Sequence, residues 1–164
     1  MEKNNFASIE SIISVAKKGG MFILVDYEKR ENEGDLVIST SDSNAKNINF
    51  MAKYGRGLIC LALDSIQAKR LNLSLMSPVN QSRNKTAFTI SIEAKKGITT
   101  GISAKDRAKT IKIASKKNVN KNEIVSPGHV FPIIAKDGGV LVRAGHTEAS
   151  VDISKLAKKN NSDE

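Results

Sequence analysis

Stretches of continuous apolar residues alternate along the chain with stretches in which apolar residues recur every three or four positions. The first kind is typical of buried strands and the second of amphipathic helices. Continuous runs predict strands at 21–26, 36–39 and 58–63. Helical spacing predicts helices at residues 7–18, from Asp42 or Ser43 to just before Gly55, from Asp64 to Leu71, from Ser103 to about Ser115, and from Thr147 to about Ala157.

The remaining strands are predicted from alternation and turn signals. Residues 86–93 alternate apolar and polar side chains, which predicts a half-buried strand. Pro127 and Gly128 are expected to break the chain, after which 130–135 and 140–143 are predicted to form a hairpin through Asp137-Gly138-Gly139. Together these elements predict an α+β fold over residues 1–164, with a mixed sheet packed with helices in a single layered domain.

The composition narrows the function without selecting one. Tryptophan is absent, so the core must be aliphatic, and the polar segment 158–164 is expected to be disordered. The formal charge of +9 makes a basic nucleic-acid-binding module the remote alternative. It is disfavoured because the lysines are scattered in pairs without interleaved aromatic residues, although a positive field can still steer an anionic substrate.

Three absences suggest the compartment. The single cysteine, Cys60, cannot form an intramolecular disulfide, and its apolar neighbours predict a buried core thiol in a reducing compartment. No apolar run approaches the roughly 20 residues that a membrane span needs. The N-terminal segment also lacks the apolar stretch of a secretory signal. We therefore expect a cytoplasmic protein without a membrane partner.

An acidic segment, residues 25–35, holds five acids and two bases between apolar runs. Unpaired charges are costly to bury, so this segment must face water, a metal or a polar ligand. Its carboxylates suit Mg²⁺ or Mn²⁺. A solvated turn, in which Lys29 and Arg30 screen the acids, explains the same pattern equally well.

Two histidines and a hydroxyl-rich loop are further candidates for chemistry. His129 and His146 each follow a glycine at the boundary of a predicted element, where a histidine can act as a base or a metal ligand. Residues 97–107 combine hydroxyls and glycines with a helix N-terminus, which predicts a phosphate site. The signal is weak by itself, because many capped helices share it. Arg143 is a second candidate for phosphate contact.

Four segments in order carry a family resemblance that extends from about Ile9 to Ala157. They closely resemble 3,4-dihydroxy-2-butanone 4-phosphate synthase, an enzyme of riboflavin biosynthesis. The segments are Arg30-Glu31-Asn32-Glu33-Gly34-Asp35-Leu36, Gly97-Ile98-Thr99-Thr100-Gly101-Ile102-Ser103-Ala104-Lys105-Asp106-Arg107, Pro127-Gly128-His129-Val130-Phe131-Pro132 and Arg143-Ala144-Gly145-His146-Thr147-Glu148-Ala149.

The resemblance implies a homodimeric lyase that converts D-ribulose 5-phosphate to L-3,4-dihydroxy-2-butanone 4-phosphate and formate with Mg²⁺ or Mn²⁺. It implies that Glu31 and His146 are metal ligands. It also implies that His129 is the acid/base residue, serving the partner subunit's site. Cys60 stands where the family often has a cysteine near the site, which makes it a second catalytic candidate. The implied substrate contacts are Arg30, Glu31, Asp35, Thr100, Arg143, Ala144, Gly145, His146 and Thr147.

The chain departs from the family pattern in two places. Tyr27 and Lys29 stand where the family commonly has acids. The chain is also C-terminally short relative to the family, whose further catalytic acid would fall just after Glu164. We therefore keep as an alternative a truncated or degenerate relative that binds sugar phosphate without turnover.

Overall fold

The computed structural model describes residues 6–27 and 30–157 of the 164-residue chain. The strands are β1 (Phe22–Val25), β2 (Gly34–Val37), β3 (Cys60–Leu63), β4 (Ile92–Ala94) and β5 (Ile124–Ile134). The α-helices are α1 (Ile9–Lys17), α2 (Ala45–Phe50), α3 (Ser65–Arg70), α4 (Ala104–Ala114) and α5 (His146–Leu156), and a π-helical turn, Met51–Gly55, continues α2. The prediction of disorder for 158–164 lies outside the described residues.

The strands form two sheets. β1 and β2 pair antiparallel, whereas β5 is the central strand of a three-stranded sheet with the order β3-β5-β4. β5 runs parallel to β3 and antiparallel to β4, so this sheet is mixed. The predicted α+β fold with a mixed sheet is confirmed. Within the described part of the chain, no helix is long and apolar enough to cross a membrane.

Two clusters of buried apolar side chains hold the elements together. The larger cluster joins β3, β4 and β5 to α2 and α4, and the smaller joins α1, β1 and α5. Ile48, Ile92 and Val130 of the larger cluster are almost fully buried. α5 contacts α1, β1 and β3, so it connects the two parts of the structure. α5 therefore packs against both sheets.

The predicted hairpin over 130–143 is wrong. β5 continues through Pro127 and Gly128, and residues 139–141 form a short 3₁₀ turn instead of a strand. Gly138 and Gly139 adopt positive φ, and the backbone N–H of Val140 donates to a carboxylate oxygen of Asp152 on α5 at 2.9 Å. The turn is therefore stabilised by a helix side chain, which the local pattern does not reveal.

The predicted strand at 86–93 is also largely wrong, because only its last residues belong to β4. The N–H of Thr89 donates to the carbonyl of Pro132, whereas the N–H of Ile90 donates to the carbonyl of Ser74. Bonding to neighbours on two sides leaves isolated bridges at Phe88 and Thr89 instead of one continuous ladder. Apolar and polar side chains do alternate in this segment, but its hydrogen-bond partners change from one residue to the next.

Helix starts were predicted with mixed success. Asp64 and Ser103 cap α3 and α4 as predicted. Asn44, and not Asp42 or Ser43, caps α2, since the side chain of Asn44 accepts from the N–H of Asn47. The prediction of Thr147 as the last cap is wrong, because α5 begins one residue earlier, after Gly145.

Asp106 is the most heavily bonded side chain near the start of α4. It is only 4% exposed, and its Oδ2 accepts from the hydroxyl of Thr99 at 2.7 Å and from the N–H groups of Thr99 and Gly101 at 3.1 Å. The hydroxyl of Thr99 is the largest cause that holds the pKa of Asp106 below 3.8, and the amide bonds assist, together outweighing burial.

We predict that Asp106 stabilises the fold in a pH-dependent way. A depressed folded-state pKa contributes stability that is fully present above the unfolded pKa of about 3.9, and this stability is lost as pH falls through the folded value. Asp106→Asn should therefore unfold at a lower temperature than wild type at pH 7. The gap should narrow under acid conditions, because protonated Asp106 resembles asparagine.

Thermal unfolding of both proteins from neutral to acid pH checks this prediction. Glu123→Gln is the matched control, because Glu123 is a partly exposed carboxylate that pairs with Lys116 at 3.8 Å, and glutamine can still accept from the N–H of Asn120. A constant difference in unfolding temperature between Asp106→Asn and wild type at every pH would contradict the assignment.

Candidate active site

A cavity of about 790 Å³ opens between the two sheets and the first turn of α5. It brings together seven of the residues that the sequence singled out, although they come from three separate regions of the chain. These residues are Arg30, Glu31, Asp35, Cys60, Arg143, His146 and Thr147. Residues far apart in sequence and rich in polar groups therefore converge on one concave surface, which is typical of a ligand site.

Asp26 organises the acidic segment and is not itself a free ligand. Its side chain is 7% exposed, and it accepts from the side chain of Arg30 at 2.7 Å and from the N–H groups of Glu31 and Glu33 at 3.1 Å. Burial pushes the pKa of Asp26 upward, but the hydrogen bonds from these three residues outweigh it and lower the pKa. Asp26 thus shapes the loop that carries Glu31.

Glu31 is held by two donors at the edge of the cavity. Arg30 donates to Oε2 at 3.0 Å, and the side-chain amide of Asn84 donates to Oε1. Asn84 lies between the predicted helix that ends at Leu71 and the predicted strand at 86–93, and no signal in the sequence marks it as a partner of Glu31. The contact joins the acidic segment to residues 72–85.

His146 is the first residue of α5, and its ring is oriented by Asp35. Nδ1 of His146 lies 3.0 Å from Oδ2 of Asp35. A carboxylate can only accept, so this contact places the ring proton on Nδ1 and leaves the lone pair on Nε2. Nε2 is buried and has no hydrogen-bond partner in the described structure. A buried unpaired nitrogen of this kind indicates a site for a cation or a donor.

The residues present fit a divalent cation with few protein ligands. Metal-binding histidines commonly donate their second ring N–H to a carboxylate, as His146 does to Asp35. Glu31 lines the same cavity as His146, so the two predicted ligands lie on one side of the domain. Among the described residues no group of three or more histidine, cysteine, aspartate or glutamate side chains is arranged to hold a metal. Mg²⁺ retains several waters and often takes only one or two carboxylates, which suits a sparse set.

Arg143 is fixed at the cavity by the buried carboxylate of Glu148. Glu148 is 1% exposed; one oxygen accepts from Arg143 at 2.6 Å and the other from the N–H of Lys136 at 2.9 Å. Arg143 also donates to the carbonyl of Asn84 at 3.1 Å. A Cβ added at Gly145 would crowd this ion pair, which explains the glycine before His146. Glu148 was quoted in a motif but given no role by sequence reasoning.

The prediction that Cys60 is a buried core thiol is wrong. Cys60 is the first residue of β3, where the strand reaches the cavity, and the residue is exposed. Desolvation of its sulfur, assisted by the negative charge of Asp35, raises the pKa of Cys60 to about 11. At neutral pH the side chain is therefore a thiol and a poor nucleophile.

A second group of predicted residues lies outside the lining of this cavity. Nδ1 of His129 on β5 lies 2.6 Å from Oε1 of Glu93 on β4, an ion-pair partner that the sequence did not single out. Gly101 packs against both, because a Cβ added there would overlap Oε1 of Glu93 and lie 2.9 Å from Nδ1 of His129. Thr100 is the exposed neighbour of Gly101. One chain thus presents two groups of candidate residues.

The predicted phosphate site over 97–107 is not built as expected. The backbone N–H groups of Thr99 and Gly101, which would have bound an anion, donate to Asp106 instead. A buried carboxylate thus already occupies the position of the anion. Ser103 likewise caps α4 by accepting from the N–H of Asp106 at 3.0 Å. Thr100 remains a predicted substrate contact.

His129 projects from an irregularity in the sheet. Ile92 of β4 pairs with Val130, whereas the next residue, Glu93, pairs with Val125, so residues 126–129 bulge out of the ladder. Bulges re-aim side chains, and this one carries His129 toward Glu93. The N–H of Gly128 donates to the hydroxyl of Ser91 at 3.0 Å. A Cβ at Gly128 would overlap the carbonyl of Ile92, so only glycine permits this approach.

We predict that Cys60 is slow to alkylate in the folded protein. Because the thiolate is the reactive form, its reaction with iodoacetamide should accelerate only as pH approaches about 11. The urea-unfolded chain, measured in parallel, should accelerate near the ordinary thiol value of about 8.5. Cys60 is the single cysteine of the chain, so mass spectrometry follows it without interference. Equal pH profiles for folded and unfolded protein would contradict the shift.

We also predict that Gly128→Ala destabilises the sheet. The added methyl must displace the backbone of Ile92, and overpacking of this kind costs about 1–3 kcal/mol. Gly57→Ala is the matched control, because a Cβ there meets only the carbonyl of Gly55 at 3.9 Å. Urea unfolding of both variants measures the difference. A Gly128→Ala variant as stable as Gly57→Ala would refute the close approach.

Comparison with known proteins places this site in a family. A family model described as 3,4-dihydroxy-2-butanone 4-phosphate synthase matches residues 10–162. A protein of that name from Photobacterium phosphoreum is 50% identical over 151 residues, which cover 92% of this chain and 42% of that protein. The riboflavin biosynthesis protein RibBA of Aquifex aeolicus is 51% identical, and the match covers 95% of this chain and 39% of that protein.

Solved structures agree in fold. A 3,4-dihydroxy-2-butanone 4-phosphate synthase crystallised with two magnesium ions superposes with a TM-score of 0.90 at 37% identity, covering 93% of this chain and 71% of that one. The two-domain synthase RibBX of A. baumannii gives a TM-score of 0.88 at 46% identity, covering 92% of this chain and 44% of that one. The chain spans about two fifths of the length of the curated relatives it matches. It belongs to the 3,4-dihydroxy-2-butanone 4-phosphate synthase family.

Proposed function

We propose that the protein converts D-ribulose 5-phosphate to L-3,4-dihydroxy-2-butanone 4-phosphate and formate, in the cytoplasm and with Mg²⁺ or Mn²⁺. The observation that carries this proposal is His146, whose Nδ1 meets Asp35 at 3.0 Å while its buried Nε2 has no partner in the described structure. Glu31 and Arg143 line the same cavity and supply a carboxylate and a guanidinium. A ketose phosphate has hydroxyl, carbonyl and phosphate oxygens that match this set.

Glu31 and His146 would hold the cation. When bound, a divalent cation supplies positive charge against substrate oxygens that become negative during enolisation. Asp35 orients His146 by accepting from its Nδ1, and Asn84 and Arg30 orient Glu31. The crystals of a relative that contain two magnesium ions support the choice of metal.

Arg143 is placed to bind anionic or hydroxyl oxygens of the substrate. A guanidinium has five N–H donors, and the contacts to Glu148 and to the carbonyl of Asn84 leave others available. The buried Glu148 prevents the side chain from turning away from the cavity. Thr147, on the first turn of α5, adds a hydroxyl next to His146. Binding energy from these contacts positions the reacting carbons.

His129 would move protons in the reaction, but it lies outside the lining of the cavity that contains His146 within one chain. We propose that two subunits associate so that His129 and Thr100 of one chain complete the cavity of the other. Shortly before His146 the chain exposes three large apolar side chains, those of Val140, Leu141 and Val142, and Leu141 is 95% exposed. Exposed apolar side chains at this position support an interface beside the site. Enolisation, dehydration, rearrangement and hydrolysis each need a positioned proton donor or acceptor.

The direct test is formate release from D-ribulose 5-phosphate. Purified protein with Mg²⁺ should release formate, and chelation by EDTA should stop it. Absence of formate at high enzyme concentration, with either Mg²⁺ or Mn²⁺, would overturn the proposed activity. Calorimetric binding of the substrate without turnover would instead support the alternative of a relative that binds sugar phosphate without converting it.

The two histidines should separate binding from turnover. His146→Ala removes a metal ligand, so we expect loss of metal-dependent substrate binding as well as of activity. His129→Ala leaves the metal site unchanged, so we expect substrate binding near wild type and a 10²–10⁴-fold loss of kcat, the usual range for general acid–base catalysis. Calorimetry and formate assays measure both. Equal loss of binding in the two variants would contradict this division of roles.

Mixing the two inactive variants tests the shared site. If His129 serves the partner subunit, a heterodimer of His146→Ala and His129→Ala contains one site with both histidines, and activity should reappear on subunit exchange. Wild-type protein taken through the same exchange protocol is the control. If exchange is verified by mass spectrometry and the mixture stays inactive, each site is built within one chain.

A further inference from the structure

The contact between His129 and Glu93 is the shortest hydrogen bond that either histidine makes in the described structure. The surrounding residues hold both side chains in this contact. The two atoms lie 2.6 Å apart, whereas the side chain of Glu93 is only 15% exposed and that of His129 is 42% exposed. The carboxylate is therefore withdrawn from water behind the imidazole. A carboxylate with so little access to water needs a partner, and His129 is the side-chain partner that it has in the described structure.

The direction of the proton in this contact follows from the chemistry of the partners. A carboxylate accepts only, so the bond requires the proton of His129 on Nδ1. Nε2 then carries the lone pair and faces away from Glu93. In free histidine both tautomers exchange, so a fixed one is a property that the surrounding structure imposes.

Three independent features hold the pair in place. Gly101 packs so closely over Glu93 and His129 that any side chain there would overlap them. The N–H of Gly101 is tied to the buried carboxylate of Asp106 at 3.1 Å. On the other side, the bulge of β5 is clamped to β4 by Gly128, whose N–H donates to Ser91. Each feature restricts movement of one member of the pair.

We propose that Glu93 is a positioning residue that fixes His129 in the tautomer with Nδ1 protonated and directs Nε2 at the substrate as a base. This inference rests on the proposed function. When Nε2 takes a proton from a substrate carbon or hydroxyl, the electron pair of the broken bond stays on the substrate. The imidazolium that results is stabilised by the carboxylate of Glu93 until it returns the proton in a later step. Glu93 itself neither touches the substrate nor becomes protonated.

Nitrogen NMR tests the proposal without any assay of activity. The chain has only two histidines, so in protein labelled with ¹⁵N-histidine the His129→Ala variant assigns both rings. At mildly alkaline pH, where imidazole is neutral, His129 in wild type should show Nδ1 protonated and Nε2 unprotonated. Glu93→Ala should lose this preference, whereas Glu93→Gln, whose side-chain carbonyl can still accept, should retain it.

Kinetics test the consequence for catalysis. Glu93→Ala should lower kcat by about 10–100-fold with little change in KM, as loss of an orienting partner typically does. Glu93→Gln should recover part of kcat, because it restores orientation but not negative charge. Glu10→Ala, which removes an exposed carboxylate in the first turn of α1, should alter neither the tautomer nor kcat.

Each outcome decides the proposal. A wild-type spectrum with His129 protonated on Nε2 would overturn it, and this reading does not depend on any variant folding. An unchanged tautomer and kcat in Glu93→Ala, with circular dichroism showing a folded protein, would overturn it as well. If wild type releases no formate, the proposed function fails, but the NMR result still decides whether Glu93 fixes His129.

Discussion

A buried carboxylate must be satisfied by hydrogen bonds, and this constraint shapes three irregular segments of the structure. Asp26 gathers the acidic segment, Asp106 gathers the loop before α4, and Glu148 holds Arg143 and the N–H of Lys136. In each case one acid replaces the hydrogen bonds that a strand or helix would have supplied.

The same constraint explains why acids near the site have different tasks. Asp26 and Asp106 each accept from a side chain and from two backbone N–H groups, and these hydrogen bonds lower their pKa values. Asp35 and Glu93 each accept from one histidine and so determine which ring nitrogen is free. Asp26 and Asp35 belong to one acidic segment, whereas Glu93 on β4 and Asp106 on α4 belong to consecutive elements. All four acids carry the same charge, so charge does not distinguish the two kinds. What distinguishes them is the number of donors to each carboxylate and whether a donor is a histidine ring.

The two histidines share one local design but belong to different surroundings. Each follows a glycine that leaves room for a close neighbour. At Gly145 the neighbour is the ion pair of Arg143 and Glu148, and at Gly128 it is the backbone of β4. His146 faces the cavity with a buried Nε2, whereas His129 lies in the bulge of the central strand β5 with its ring partly exposed. The buried Nε2 of His146 suits a ligand of a cation. The exposed ring of His129 suits a residue that reaches a substrate bound to another subunit.

Much of the local structure was predictable because its causes are local. The apolar runs that became β1, β2 and β3, the caps at Asp64 and Ser103, and the apolar face of α4 depend on residues within one or two turns. Failures occurred where a distant partner decides. The 86–93 segment divides its hydrogen bonds between β5 and residues 74–76, and the 139–141 turn is held by Asp152. Periodicity cannot report such partners.

By itself the sequence determined the family, the α+β class and the set of residues from which a site could be built, because motif identity and short-range pattern are properties of the chain. Only the tertiary structure decided which acid orients which histidine. His146 meets Asp35 across 111 positions and His129 meets Glu93 across 36. These pairings arise from packing of α5 beside the acidic segment and of β4 beside β5. The sequence holds the acids and bases, but only folding brings an acceptor to one nitrogen of each ring and leaves the other nitrogen free.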